Sequence, residues 1–197
     1  MKILGIAYVV PSQKVTNDMV IEAILRLSRK HLSWIKRKIL VTKLEEAFKK
    51  CGTVIRYVRS LPTEGRHPNK GERALELTVK AGRDALQKAG VDPEEVDLLI
   101  YTGVGRGWLE PAMANVFQSE LGLKRATCFD VMDACASWVR SMAIAKSFIE
   151  QGTYKTVMIL NSEFNVREFG ASYVIERLHD VYNLFAGYTI GEAATAT

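Results

Sequence analysis

Cysteine is scarce in this chain: Cys51, Cys128 and Cys135 are the only three among 197 residues. An odd trio without paired spacing excludes a disulfide framework and a Cys/His zinc module. With no export signal ahead of it, the same trio points to the reducing cytoplasm. Long apolar runs are missing as well. None approaches the ~18 residues that cross a bilayer, so no membrane partner is expected. The opening Met1–Pro11 is too short for an export signal and stops at proline, so residues 2–10 read as a first β-strand. Histidine is limited to His31, His67 and His179. His67, between Arg66 and Pro68, reads as an exposed loop residue, and His179 as a polar helix position.

What is present is an ordinary globular mixture, 48% hydrophobic and 25% charged, enough to bury a substantial core. Twenty-seven Lys and Arg against 22 Asp and Glu leave +5, with the excess gathered between Arg26 and Arg59. Such a face suits an acidic carrier protein, a phosphorylated cofactor or nucleic acid; a solvated helix surface explains it equally. No base-reading motif accompanies the charge, so nucleic acid ranks last.

Strand-like and helix-like patterns alternate. Asn17 reads as the cap of a helical stretch running to Phe48, as one helix or two. Thr53–Arg59 is β-rich, and 65–71 is a polar loop. Residues 72–89 have helical spacing with Gly90 as the stop. Val96–Thr102 is a buried strand, Pro111 opens a helix to about Leu121, and 126–131 forms the next strand. A helix from Cys135 to about Gly152, a strand over Thr156–Asn161 and a helix over Tyr173–Leu184 follow. Gly191–Thr197 closes as a strand of small residues. The order predicts an α/β fold, a mixed, mostly parallel sheet with helices on both faces.

Cys135 carries the chemistry. It lies where the strand Ala126–Val131 gives way to a helix, and unpaired N–H groups at a helix N-terminus favour the thiolate, the form that attacks carbonyls. The plain alternative is a small apolar filler, which is how Cys128 reads. Trp138 reads as core. Asp130 and Asp133 oppose thiolate formation beside Cys135 unless they turn outward or act as caps.

Taken together, these segments resemble the N-terminal half of a thiolase-fold condensing enzyme of the β-ketoacyl-acyl carrier protein synthase III group. Phe129-Asp130-Val131-Met132-Asp133-Ala134-Cys135-Ala136-Ser137 is similar to the family's strand–nucleophile–helix junction. Lys88–Ile100 is similar to the stretch before its third strand. Val54–Arg59 resembles its arginine-rich strand, and Ile190–Ala196 its closing glycine–acid–small-residue strand. Thr102–Pro111 brings the chain nearer to the branch that joins two acyl chains head to head in bacterial olefin biosynthesis.

The resemblance implies Claisen-type acyl transfer. Cys135 takes an acyl group from coenzyme A or acyl carrier protein, and a second acyl thioester attacks it to give a β-ketoacyl product. It implies no tightly bound cofactor. It also implies Glu110 as the base that removes an α-proton across a dimer interface, although Glu110 before Pro111 equally suits a helix N-terminal acid. Arg56, Arg59 and Trp34 are the candidate coenzyme A contacts, with a salt-bridged strand pair the alternative for the arginines. Residues 1–197 then form the N-terminal half, with about 17–50 a basic helical insertion. The half bearing the family's histidine and asparagine is absent, so a homodimer or a heteromer with a C-terminal-half chain is expected. The other reading is a non-catalytic partner subunit or truncated fragment that binds an active enzyme.

Overall fold

The structure, a computed structural model, describes residues 1–63, 72–105, 109–166 and 168–197. The expected loop at 65–71, with His67, and Arg106, Gly107 and Trp108 lie outside the described residues. The chain forms two units: Met1–Val10, Glu72–Glu163 and Ala193–Thr197 in one, Pro11–Gly71 and Phe164–Glu192 in the other.

The first unit is built on five strands: β1 (Ala7–Val9), β4 (Leu98–Gly103), β5 (Thr127–Met132), β6 (Val157–Glu163) and β7 (Ala193–Ala196). Their order is β1-β7-β6-β4-β5. β4 runs parallel to both β5 and β6, while β7 is antiparallel to β6 and β1. Side chains alternate between faces. Leu99, Tyr101, Met158 and Leu160 pack with α3 (Ala74–Ala89) and α4 (Met113–Leu121), while Leu98, Ile100 and Ile159 face α5 (Ser137–Glu150). Both faces being covered is why these strands read as unbroken apolar runs.

Boundaries shift where pairing decides them. The first strand holds only Ala7–Val9 rather than 2–10, because β7 supplies partners to those three residues. The helix expected to open at Pro111 starts at Met113, where the Asp130 carboxylate accepts the N–H groups of Met113 and Ala114, both at 2.9 Å. The helix expected from Cys135 begins at Ser137, after a 3-10 turn over Ala134–Ala136. Gly90 ends α3 in the left-handed region as expected.

In the second unit, β2 (Gln13–Thr16) pairs antiparallel with β3 (Ile55–Val58). The basic stretch is two helices, α1 (Asn17–Leu27) and α2 (Trp34–Cys51), capped by Thr16 and Ser33. Asn17 is therefore not the cap. Its amide instead donates to Thr53 O at 2.8 Å and accepts from Arg56 at 2.6 Å. The helix expected over Tyr173–Leu184 is broken into a 3-10 turn, Glu168–Tyr173, and short α6 (Asp180–Asn183), followed by α7 (Phe185–Thr189). Buried Ser28 accounts for part of the break. It accepts the Ile175 N–H at 2.8 Å, fixing that residue in place of a continuing helical bond. His179 sits just before α6, 3.3 Å from Asp180.

Candidate active site

Cys135 is exposed and occupies the turn between β5 and α5. Ala134, immediately before it, has φ of 46°, an uncommon conformation for a residue with a Cβ. A bend of this kind needs over-determination by its surroundings, and Ser137 provides it. The buried Ser137 Oγ accepts the Asp133 N–H at 2.9 Å and is placed to donate to Ala134 O at 2.6 Å and Gly103 O at 2.9 Å. One hydroxyl thus joins the end of β4, the end of β5 and the first residue of α5. Nothing in the sequence around Cys135 marks Ser137 for this task beyond a hydroxyl two residues after the thiol.

The two aspartates that flank the turn have other duties. Asp130 holds the first N–H groups of α4, and Asp133 pairs with Arg140 one turn into α5. Both carboxylates are thus engaged as a helix cap and an ion pair, two of the uses expected for them from the sequence. Cys128 is a different sort of thiol. It is half-buried, donates to Asn115 Oδ1 at 2.8 Å, and burial followed by the Asp130 charge pushes it up from the usual thiol range. Burial also raises the Tyr101 phenol, reinforced by Glu163, and its hydroxyl donates to Gly105 O at 3.1 Å. Trp138 is a correction: 37% exposed rather than core, with its indole donating to Thr197 Oγ1 at 3.3 Å.

Glu110 is exposed and lies in the segment that leaves the C-terminal end of β4. Cys135 leaves the same end of β5, with Gly103 and Met132 in register. Both groups therefore stand beyond the carboxyl ends of adjacent parallel strands, where open α/β sheets place their ligands. Among the described residues no group of His, Cys, Asp and Glu is arranged to hold a metal ion.

The remaining sequence candidates belong to the second unit. Trp34, the first residue of α2, is 61% exposed, with Lys38 Nζ 5.0 Å from its ring centroid. Arg56 is buried rather than solvent-facing. Its guanidinium stacks 5.1 Å from the Phe48 centroid and donates to Asn17, and burial lowers its pKa. Arg59 spends its donors on the buried Glu192 carboxylate at 3.2 Å and on Phe164 O at 2.5 Å.

Residues 53–164 match the family model for the thiolase N-terminal domain. A β-ketoacyl-acyl carrier protein synthase III from Helicobacter hepaticus is 32% identical over 127 residues, 64% of this chain and 36% of that protein. One from Clostridium beijerinckii is 27% identical over 162 residues, 82% and 42% of the two. Among solved structures, Xanthomonas campestris OleA with bound lauric acid and lauroyl-CoA superposes with a TM-score of 0.76 at 22% identity, covering 98% of this chain and 54% of that one. A 3-oxoacyl-(acyl carrier protein) synthase III from Xanthomonas oryzae gives 0.72 at 23%, with the same coverage. At that identity the superpositions speak for the fold. The chain spans roughly a third to two-fifths of these sequence relatives and about half of these structures. On the strength of the domain match, the chain belongs to the thiolase N-terminal domain family.

Proposed function

We propose that the chain is the nucleophile-bearing half of a Claisen-type condensing enzyme acting on acyl thioesters of coenzyme A or acyl carrier protein. The observation that carries this reading is the exposed Cys135 on a turn bent at Ala134 and braced by Ser137. The thiolate adds to the thioester carbonyl, the donor thiolate leaves, and the acyl group stays on Sγ. The Cys135 N–H is the donor that this half offers to the oxyanion. Glu110 then takes the α-proton of a second thioester, and the resulting carbanion displaces Cys135 to form the β-keto product. Trp34 contributes an open aromatic face to coenzyme A. Arg56 and Arg59, with their donors turned inward, act on the order of the second unit rather than on phosphate.

The assembly that carries out the full cycle is a homodimer or a heteromer with a C-terminal-half chain. Intact-mass measurement after incubation with lauroyl-CoA tests the first step. A gain of one lauroyl group that vanishes in Cys135→Ser is expected; a wild-type chain that stays unmodified even with a complementary half supplied overturns it. The last outcome is the one expected of a non-catalytic partner subunit.

A further inference from the structure

Helix α2 departs from a rule that its neighbours keep. α1 and α3 each place an acid in the first turn, Asp18 and Glu76, and a base in the last, Arg26 and Lys88, as the helix dipole favours. α2 has no acid in its first turn, and Lys36, Arg37 and Lys38 crowd that end. Between Glu22 and Glu45 the sequence has seven Lys and Arg and no Asp or Glu. Among the described residues, Arg29, Lys30, Lys36, Arg37 and Lys38 form no ion pair. Cations gathered in this way at a helix N-terminus oppose the dipole and one another.

Apolar placement is inverted in the same two turns. Leu40, Leu44, Ala47 and Phe48 are the buried residues of α2 and account for its packing. Ile35 and Ile39, one turn apart, are nevertheless 55% and 43% exposed, and Trp34 beside them is 61% exposed. The outward side of a packed helix is ordinarily polar. The later turns of α2 return to that rule, with Glu45, Glu46, Lys49 and Lys50 all exposed. The departure is therefore confined to one end of the helix, and neither its packing nor its own stability explains it.

We propose that this end of α2 is a docking surface for an anionic lipid bilayer. Ile35 and Ile39 enter the boundary between headgroups and acyl chains, while Lys36 and Lys38, with the exposed Arg29 and Lys30 of the preceding turn, reach the lipid phosphates. Trp34 stands at the level where indoles settle in a bilayer interface. The outer side of a single helix is convex, and lipids close around projecting side chains where a folded partner would have to bring a matching groove. The lack of long apolar runs, on which the expectation of no membrane partner rests, bears on spans and not on contact at a surface.

Vesicle co-sedimentation of the full chain tests this, with vesicles of phosphatidylcholine alone and of equal parts phosphatidylcholine and phosphatidylglycerol. The chain is expected to bind the mixed vesicles about tenfold or more tightly than the neutral ones, and less tightly as salt rises. Ile35→Ser with Ile39→Ser, and separately Lys36→Glu with Lys38→Glu, are each expected to weaken that binding about tenfold or more. Lys49→Glu with Lys50→Glu makes the same change of charge at the other end of the helix and is expected to weaken it far less. All these positions are exposed, so circular dichroism should show one fold throughout. Equal binding to both kinds of vesicle overturns the proposal, as does an isoleucine pair without effect or equal losses from the two lysine pairs. So does a chain that stays in the supernatant with either vesicle, the result expected if the surface serves a soluble acidic protein. Sedimentation needs no acyl transfer and leaves Trp34 unchanged, so its outcome is independent of the function proposed above.

Discussion

Ser137 Oγ lies 2.9 Å from the carbonyl oxygen of Gly103, linking the residue that starts the nucleophile's helix to the end of the neighbouring strand. Ser137→Ala removes that hydroxyl and leaves the Asp133 N–H and two carbonyls without it in a buried setting. A loss of about 1–3 kcal/mol is expected by denaturant unfolding. Acylation of Cys135 should slow by about tenfold or more as the turn relaxes; an unchanged rate would show that the brace is dispensable.

Cys135→Ala should leave the fold almost untouched. The side chain is exposed, and surface changes of this type stay within about 0.5 kcal/mol. The same protein should lose one rapidly alkylated thiol. Cys128, half-buried and with its thiol pushed up by burial, should react far more slowly than Cys135 with iodoacetamide at neutral pH. Peptide mass mapping of a time course distinguishes the two sites.

Gly103→Ala tests the packing at the end of β4. A Cβ there would lie 2.4 Å from Glu163 Oε1, the atom that accepts the Val104 N–H at 2.6 Å. Displacing that carboxylate is expected to cost about 1–3 kcal/mol, read as a lowered denaturation midpoint. A midpoint equal to wild type would mean that Glu163 moves without penalty.

Glu192 is 3% exposed, and its carboxylate accepts from the Arg59 N–H at 2.6 Å and the Val166 N–H at 3.2 Å besides meeting the guanidinium. Glu192→Ala strands those donors, and removing one member of a buried pair costs about 3–5 kcal/mol. Loss of cooperative unfolding by circular dichroism is the expected readout.

Asp97 gives a pH signature. Its carboxylate accepts the N–H groups of Lys155 and Thr156 at 2.9 and 3.1 Å, and those bonds hold its pKa below the ordinary carboxylate value. The folded-state pKa being depressed, the stabilisation is full above the unfolded pKa and fades as pH falls through the folded one. Wild type should melt above Asp97→Asn at pH 6, and the gap should narrow as the pH is lowered below the ordinary carboxylate value. A gap that stays constant across that range would contradict the assignment.

Much of the architecture follows from pattern. Leu98–Gly103 announces itself because a strand buried at every residue must be apolar or small nearly throughout, and Val157–Leu160 shows the same apolar run. Gln13–Thr16 escapes notice, since four mixed residues become a strand only by pairing with Ile55–Val58. Val174 to His179 looks helical locally, yet Ser28, some 145 residues away in sequence, holds its backbone otherwise. Trp138 reads as core from its bulk, and only the tertiary arrangement shows its indole open to solvent and bonded to Thr197.

The amino-acid order by itself determined the alternation of strand and helix and the position of Cys135 at a strand-to-helix junction, because periodicity and residue type act over a few neighbours. Folding in three dimensions decided how that thiol is presented. The anchoring of Ser137 to Gly103, the placement of Asp130 on α4 and the inward turn of Arg56 toward Asn17 depend on groups distant along the chain, whose hydrogen bonds no local pattern encodes.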